Sequence, residues 1–190
     1  MSYFCENNIK IYTMFQPSVY TNRRNALRKL VSSGIVLFPG NTEASYNYPA
    51  NTYAFRQDSN FSYFFGLENP DFFGIIDIDN NKDLLFGNDF EIDDIIWMGP
   101  QPKVSDLGLK AGITDTFPFA EVYDYVSEAI KKGRKVHFAP SYRAQTAILT
   151  SNLTGIKISK LKSYVSMELI HAIVKLRSVK DSLEIAEIEK

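Results

Sequence analysis

The chain of 190 residues has few of the side chains on which enzyme active sites usually depend. It contains two histidines, His137 and His171, and one cysteine, Cys5. Neither histidine has Cys, Asp or Glu at metal-ligand spacing around it, and one cysteine cannot form an internal disulfide. The glycine-rich nucleotide-binding motifs and the G-x-S-x-G nucleophile motif are also absent. We therefore expect neither nucleophilic nor nucleotide chemistry, and we interpret both histidines as packing or surface residues.

The charge balance and the short apolar runs exclude two further kinds of partner. The chain has 21 basic and 22 acidic residues, a net charge of -1 and a pI near 6.1. A protein that neutralises a phosphate backbone needs an excess of positive charge, so we expect no nucleic-acid partner. No run approaches the roughly 18 apolar residues of a membrane span, and the first 16 residues do not resemble a signal peptide. These absences predict no membrane association and a cytoplasmic location.

The N-terminal half alternates between helix and strand patterns. Apolar residues at helical spacing predict an amphipathic helix within Pro17–Gly34, and the β-branched run Ile35–Phe38 predicts a buried, central strand directly after it. Phe73–Ile78 and Asp83–Phe86 flank a polar turn and predict a β-hairpin. Such an order indicates an α/β fold with a mixed β-sheet flanked by helices.

The C-terminal half continues the alternation, and glycine and proline near Trp97 are expected to stop any regular element there. Alternating helices and strands favour parallel pairing through right-handed crossovers. The predicted elements are a helix at Ala120–Lys132, a strand at Lys135–Ala139, a helix at Ser141–Thr150, a short strand at Ile156–Ile158, and a helix at Val165–Leu176 with Met167, Ile170, Ile173 and Val174 inside.

Three regions are expected along the chain. Residues 1–13 show no clear periodicity and predict a disordered N-terminal arm, while residues 14–176 form the domain itself. Residues 177–190 read as a charged helix without a glycine or proline terminator. We predict that this helix begins a linker to a further domain.

The segment from Phe55 to Gly66 combines polar residues with a short aromatic helix. Asp58 or Ser59 is expected to cap that helix, Phe61, Phe64 and Phe65 to point inward, and Gly66 to end it. A second acidic segment, Asp77–Asp83, begins like a calcium loop. It has lysine where that loop requires glycine and lacks the final glutamate, so a hairpin turn is the better interpretation.

Arg56, Asp58 and Trp97 are the candidate binding residues. Arg56 can hold a carboxylate through two hydrogen bonds, and Trp97, beside Gly99 and Pro100, can present a flat apolar face to one end of a peptide. The alternative is structural: Arg56 pairs with Asp58, and Trp97 covers the core. The residues alone favour this alternative slightly and leave both open.

Several motifs together resemble the N-terminal domain of aminopeptidase P, of the Xaa-Pro aminopeptidases in the creatinase and prolidase group. They follow the order of that family and cover most of the chain from about residue 14. The matching pieces are Tyr20-x-x-Arg23-Arg24-x-x-Leu27, Ile35-Val36-Leu37-Phe38-Pro39-Gly40-Asn41, Tyr53-x-Phe55-Arg56-Gln57-Asp58-Ser59-Asn60-Phe61-x-Tyr63-x-x-Gly66, Pro70-Asp71, Trp97-x-Gly99-Pro100 and Leu176-Arg177-Ser178-Val179-Lys180-x-x-x-Glu184-Ile185.

The resemblance implies a creatinase-like fold with a ribonuclease H-like motif and a non-catalytic role. In that family a second, pita-bread domain holds two divalent metals, usually manganese, and hydrolyses the bond before a proline at the second position. This half would hold no metal and no catalytic residue. It would contact its own C-terminal catalytic domain, form homo-oligomers and help to wall the substrate site through Tyr53, Arg56, Asp58 and Trp97.

Three alternatives to this function stay open. The chain could be a stand-alone creatinase-like module that binds peptides or proteins without catalysis, or the same domain of a prolidase. A hydrolase or nuclease that uses Asp77 and Asp79 is disfavoured, because both carboxylates lie beside a turn and lack a partner histidine.

Overall fold

The computed structural model describes residues 14–48 and 51–190, so the arm predicted for residues 1–13 lies outside the described residues. Helices and strands are interspersed along this part of the chain, and only helices follow the last strand. In order they are α1 (Pro17–Arg28), β1 (Ile35–Pro39), α2 (Ser59–Phe65), β2 (Phe73–Asp77), β3 (Lys82–Gly87), α3 (Ile92–Met98), α4 (Val104–Lys110), β4 (Asp115–Pro118), α5 (Glu121–Lys131), β5 (Val136–His137), α6 (Ala144–Thr154), a 3-10 helix (Ile158–Lys160), α7 (Leu161–Tyr164), α8 (Met167–Arg177) and α9 (Ser182–Ile188).

The strands form one mixed sheet in the order β4-β3-β2-β1-β5. Strands β1, β2 and β3 pair antiparallel, whereas β5 pairs parallel with β1 and β4 parallel with β3. The predicted fold class and the predicted hairpin are therefore confirmed. The prediction that Ile35–Phe38 is the central strand is wrong: β2 is central, and β1 lies between β2 and the two-residue edge strand β5.

Alternate side chains of β1 enter two separate cores, one on each face of the sheet. Val36 and Phe38 pack with residues of α1, α2, α4 and α8, while Ile35 and Leu37 pack with residues of α5, α6 and α7. This alternation follows from the two-residue period of a strand, and burial on both faces explains why β1 is continuously apolar. The helices thus form two layers with the sheet between them.

Buried hydrogen bonds hold the turn between β2 and β3. Asp77 is fully buried and accepts hydrogen bonds from Arg134, Tyr125 and Asn80, and Arg134 also pairs with Asp79. Burial alone would raise the pKa of Asp77, but these hydrogen bonds hold the pKa below its usual value. The Asp77 carboxylate, which begins the calcium-like segment, is therefore occupied by structural hydrogen bonds. This agrees with the interpretation of the segment as a hairpin turn.

Elements near the C-terminus differ most from their predictions. The strand predicted at Ile156–Ile158 is wrong, because a 3-10 helix begins at Ile158, and β5 has only two of the five predicted residues. In α8 the buried residues are Leu169, Ala172 and Ile173, while Met167 and Val174 are exposed. The buried stripe is therefore shifted around the helix from the predicted one.

The predicted terminal helix is shorter than expected and separate from α8. It begins after Asp181, whose carboxylate accepts hydrogen bonds from the N–H groups of Leu183 and Glu184 at 2.9 and 2.8 Å. Such a capped start stabilises an isolated turn of helix. Within the described ranges, no helix has the length and apolar character needed to cross a membrane.

Candidate functional site

Asp58 caps helix α2 and places its three phenylalanines in the core. The Asp58 carboxylate accepts hydrogen bonds from the N–H groups of Asn60 and Phe61 at 2.9 and 3.0 Å, and the helix ends at Gly66 in the left-handed conformation. Of the two capping candidates, Asp58 therefore has the role. The buried side chains of the helix are Phe61, Phe64 and Phe65, as predicted.

Gln57 fixes the backbone around Arg56. Its buried side chain accepts hydrogen bonds from the N–H groups of Asn41 and Asp58 at 2.6 and 2.9 Å and donates one to the Asn69 carbonyl at 2.7 Å. Sequence reasoning missed this residue, because two of its partners, Asn41 and Asn69, lie in distant chain segments. The Asn41 side chain also donates a hydrogen bond to the Arg56 carbonyl at 2.8 Å, so the backbone of the exposed Arg56 is held as well.

Arg56 does not form the predicted brace. No ion pair joins Arg56 to Asp58 within residues 14–48 and 51–190, and Asp58 uses its carboxylate for the helix cap. The structural alternative for Arg56 is therefore wrong. Its guanidinium group is exposed beside a cleft.

This cleft lies where the parallel strands β1 and β5 end and has a volume of about 320 Å³. Ligands of α/β proteins commonly bind at the carboxyl ends of neighbouring parallel strands. Arg56 and Asp58 line the cleft together with Tyr142, Arg143 and Thr146. We call it the Arg56 cleft.

The loop before α6 supplies two of the residues that line the Arg56 cleft, Tyr142 and Arg143. The position of Arg143 is fixed, because its guanidinium donates a hydrogen bond to the Thr42 carbonyl at 2.8 Å. The Tyr142 ring is 89% exposed and has an apolar face available for contact. Nothing in the sequence had indicated Arg143 or Tyr142, since they lie more than eighty residues beyond Arg56.

Tyr53 and Trp97, the other two candidates, do not line this cleft. Tyr53 is half exposed and stacks on Tyr46, with 3.6 Å between the ring centroids. Trp97 lies at the end of α3 and is 88% exposed. The interpretation that Trp97 covers the core is therefore wrong. Of the four candidate residues, only Arg56 and Asp58 line the Arg56 cleft.

Trp97 belongs to an exposed apolar surface on α3. Ile92 and Ile96 are 78% and 72% exposed, and Phe90 just before the helix is 43% exposed. A small domain rarely exposes several large apolar side chains side by side unless another surface covers them. We call this group, Phe90, Ile92, Ile96 and Trp97, the α3 surface.

The described residues do not fit a two-metal centre. In residues 14–48 and 51–190, no three His, Cys, Asp or Glu side chains lie close enough together to hold a metal ion. His137 is buried between the Ser166 hydroxyl and the Ser33 carbonyl, at 2.7 and 2.9 Å, and His171 is exposed. The histidines are therefore a packing and a surface residue, as predicted.

The fold and the sequence define the class of protein. The family model of the aminopeptidase P N-terminal domain matches residues 20–137, more than half of the chain. The chain belongs to that family. Both the predicted family and the predicted fold are thereby confirmed.

Individual relatives agree with this membership. A probable Xaa-Pro aminopeptidase of Aspergillus niger is 33% identical over 78 residues, which cover 41% of this chain and 16% of that protein. Aminopeptidase PepP of Pseudomonas aeruginosa superposes with a TM-score of 0.75 at 20% identity, and a variant of Escherichia coli aminopeptidase P with a TM-score of 0.73 at 20% identity. Each match covers 92% of this chain and 41% of the solved chain. The chain thus spans less than half the length of the structures that it matches.

Proposed function

We propose that this chain is the non-catalytic N-terminal domain of an Xaa-Pro aminopeptidase, which contributes to oligomer contacts and to the wall of the substrate site. Family membership carries the proposal, since the matched relatives are named as peptidases of this type. The parent enzyme would release the residue before a proline at the second position. Two divalent metals, manganese by expectation, would be bound by a catalytic domain and not by this one. A cytoplasmic location stays a prediction.

The α3 surface supports the oligomer part of the proposal. Its four large apolar side chains contribute little to the cores of this domain, so folding alone does not account for them. Aromatic residues with apolar neighbours are typical of the centres of protein interfaces. We assign this surface to contact with another subunit, where Trp97 would reach a neighbouring substrate site.

The Arg56 cleft supports the substrate-wall part. Arg56 and Arg143 present two guanidinium groups beside an exposed tyrosine, and such groups suit the carboxylate end and apolar side chains of a peptide. A structure of Escherichia coli aminopeptidase P contains the dipeptide inhibitor Pro-Leu, which has a carboxylate of this kind. Tyr53 and Asp58 would support the wall, Asp58 through the helix cap.

The test compares variants of the full-length parent enzyme. Trp97→Ala or Arg56→Ala should raise the Michaelis constant for an Xaa-Pro peptide or shift the oligomer towards monomer in sedimentation, with unchanged metal content. The control is Tyr123→Ala, which removes an exposed aromatic ring from α5, away from both surfaces. Loss of metal in both variants, or an equal effect of the control, would contradict the proposed role.

Three further observations, the first of them on the isolated chain, discriminate between the alternatives. As a non-catalytic domain, the purified 190-residue protein should cleave no Xaa-Pro peptide, with or without manganese. Turnover by this protein would refute the assignment of the chemistry to another domain. A coding sequence that stops at Lys190 would favour the stand-alone module, and a preference of the parent for dipeptides would favour a prolidase.

A further inference from the structure

Arg56 is the one arginine of residues 14–48 and 51–190 whose guanidinium has no partner within these residues. Each of the others donates at least one hydrogen bond to the protein: Arg23, Arg24, Arg28, Arg134, Arg143 and Arg177. The Arg56 backbone is nevertheless held, because its carbonyl accepts a hydrogen bond from the Asn41 side chain at 2.8 Å. A free guanidinium on a fixed backbone, beside a cleft, is available to an anionic ligand.

The charged groups that share a second cleft with Arg56 already have partners. This second cleft, of about 600 Å³, lies between α1, α2 and α9. Three glutamates line it, and each is paired: Glu68 with the Ser62 hydroxyl, Glu184 with the Arg23 guanidinium and Glu187 with the Lys190 ammonium. The other two cations there are paired as well, Arg177 with the Asn60 side chain and Lys180 with the Arg177 carbonyl. The second cleft therefore offers Arg56 no unpaired carboxylate.

Arg143 adds a second positive charge to the Arg56 cleft. Its Nη1 donates to the Thr42 carbonyl, and its other guanidinium nitrogens have no acceptor in the part of the chain that the structure describes. Asp58, which caps α2, is the one carboxylate among the described residues that line the cleft, and the exposed Glu43 does not line it. The lining thus has two positive charges and one negative charge. The like charges repel each other, and an anion in the cleft would offset that repulsion.

Neutral residues complete the lining. Apolar residues come from the end of β1 and from the segment after β5: Leu37, Phe38, Pro39, Phe138, Ala139 and Pro140. Ser141, Tyr142 and Thr146 add hydroxyl groups. Such a composition suits an anionic group that is joined to an apolar group. The volume of about 320 Å³ is at the lower end of the range for ligand pockets, so the ligand must be small or must enter by one end.

Three kinds of small anion fit this volume, and the lining favours one of them. Inorganic phosphate would bind the guanidinium groups and leave the apolar residues without a contact. A free amino acid has an ammonium next to its carboxylate, and Arg56 and Arg143 would repel that ammonium. The C-terminal residue of a peptide has a carboxylate, a neutral amide and a side chain, so every part of the lining has a group to contact.

We propose that the Arg56 cleft binds the C-terminal residue of a peptide, whose carboxylate accepts two hydrogen bonds from the Arg56 guanidinium. Arg143 supplies the second positive charge, and the side chain of the ligand packs on the apolar residues at the ends of β1 and β5. This inference deepens the substrate-wall part of the proposed function and rests on it for one consequence. The parent enzyme would favour Xaa-Pro peptides with a free C-terminal carboxylate over the same peptides with a C-terminal amide.

An NMR titration of the isotope-labelled 190-residue chain tests the binding without catalysis. N-acetyl-L-leucine, which has a carboxylate and no ammonium, should shift the amide signals of residues 141–143 saturably. N-acetyl-L-leucinamide, L-leucine and inorganic phosphate lack the carboxylate, the neutral amide and the apolar group, respectively, so each should bind at least about tenfold more weakly. Absence of a saturable shift with N-acetyl-L-leucine up to about 20 mM would overturn the proposal. Binding of any other probe with equal affinity would also overturn it.

A pair of variants locates the binding. Arg56→Gln removes the charge and the two-point contact, so it should weaken N-acetyl-L-leucine binding about tenfold or more. Lys131→Gln removes one positive charge from an exposed position of α5 that lines neither cleft, and it should leave the affinity unchanged. Equal affinities of the two variants would refute the assignment to Arg56. Because the Arg56 side chain holds no other described residue, its variant should melt like the unaltered chain.

The parent enzyme separates a failure of this inference from a failure of the proposed function. We expect kcat/KM for an Xaa-Pro tripeptide to exceed kcat/KM for its C-terminal amide about tenfold, and Arg56→Gln to abolish this preference by slowing cleavage of the free acid alone. Equal cleavage of acid and amide by the unaltered enzyme would refute the inference and leave the proposed function standing. A parent that cleaves neither peptide would refute the proposed function, and the NMR titration would then decide on the site.

Discussion

Helices α2 and α3 are alike in sequence and opposite in burial. Each has seven residues, follows an acidic residue and carries large apolar side chains. The α2 residues Phe61, Phe64 and Phe65 are fully buried, whereas Ile92, Ile96 and Trp97 of α3 are more than two thirds exposed. The difference shows that apolar composition does not by itself distinguish a core helix from a surface available to a partner.

The surroundings of each helix explain the difference. Helix α2 packs on α1 and β1, so its aromatic rings enter the core of one face of the sheet. Helix α3 follows β3 after an exposed segment, residues 88–91, and its side chains from Ile92 to Trp97 are all exposed. Packing of the core explains why α2 carries large apolar side chains. It does not explain why α3 carries them, because they are exposed.

Phe64→Ala in α2 should have the largest effect on stability. The ring is fully buried and packs on Phe38 and Tyr63, with centroids 4.9 Å away in both cases. Truncation leaves a cavity, and we expect the free energy of unfolding to fall by about 3–5 kcal/mol. Urea denaturation of the 190-residue chain measures this, and a loss below about 1 kcal/mol would mean that α2 is not part of the core.

Gly66→Ala at the end of α2 should cost about 2–4 kcal/mol, because it combines backbone strain with overpacking. Gly66 has a φ of 67°, and an added methyl group would lie 2.0 Å from the Tyr20 ring. Gly155 ends α6 in the same left-handed conformation, with a φ of 71°, and an added methyl group there would have no atom of the described residues within 4 Å. Gly155→Ala is therefore the matched control, and we expect it to cost only the backbone part, about 1 kcal/mol. Equal losses in the two variants would show that the Tyr20 contact is unimportant.

The sequence predicts α2 well because all its signals are local. Asp58, the spacing of three phenylalanines and Gly66 lie within nine residues and agree with one another. The prediction that glycine and proline stop any regular element near Trp97 is confirmed, because α3 ends at Met98 and Gly99 is its C-cap. The helix itself was not predicted, and the acidic residues Asp93 and Asp94 in its first turn were the missed signal.

The site is less predictable than the fold, because it depends on contacts between distant segments. Arg56 and Asp58 are neighbours in the chain, so their common location was foreseeable. Arg143 reaches the same cleft only because β5 pairs parallel with β1, a pairing across a hundred residues. Strand β4 and helix α4 were missed because they are short and lack a clear period.

Asp58→Ala should reduce the unfolding free energy by about 1 kcal/mol, since two helix N–H groups lose their acceptor. Asp94→Ala is the comparison in α3, where the carboxylate accepts one long hydrogen bond, at 3.3 Å, from the Glu91 N–H on an exposed helix. We expect a smaller loss there. Denaturation of both variants measures the difference, and a larger loss in Asp94→Ala would contradict the assignment of α2 as the structural helix of the two.

Trp97→Ala should have the smallest effect of all on the isolated chain, despite removing the largest side chain. Because the ring is 88% exposed, it has few contacts to lose, and we expect the free energy of unfolding to change by less than about 0.5 kcal/mol. The same substitution should still impair the parent enzyme if the α3 surface contacts another subunit. A loss of about 2 kcal/mol or more in the isolated chain would instead make Trp97 a residue of this domain's own core, and the contrast between α2 and α3 would disappear.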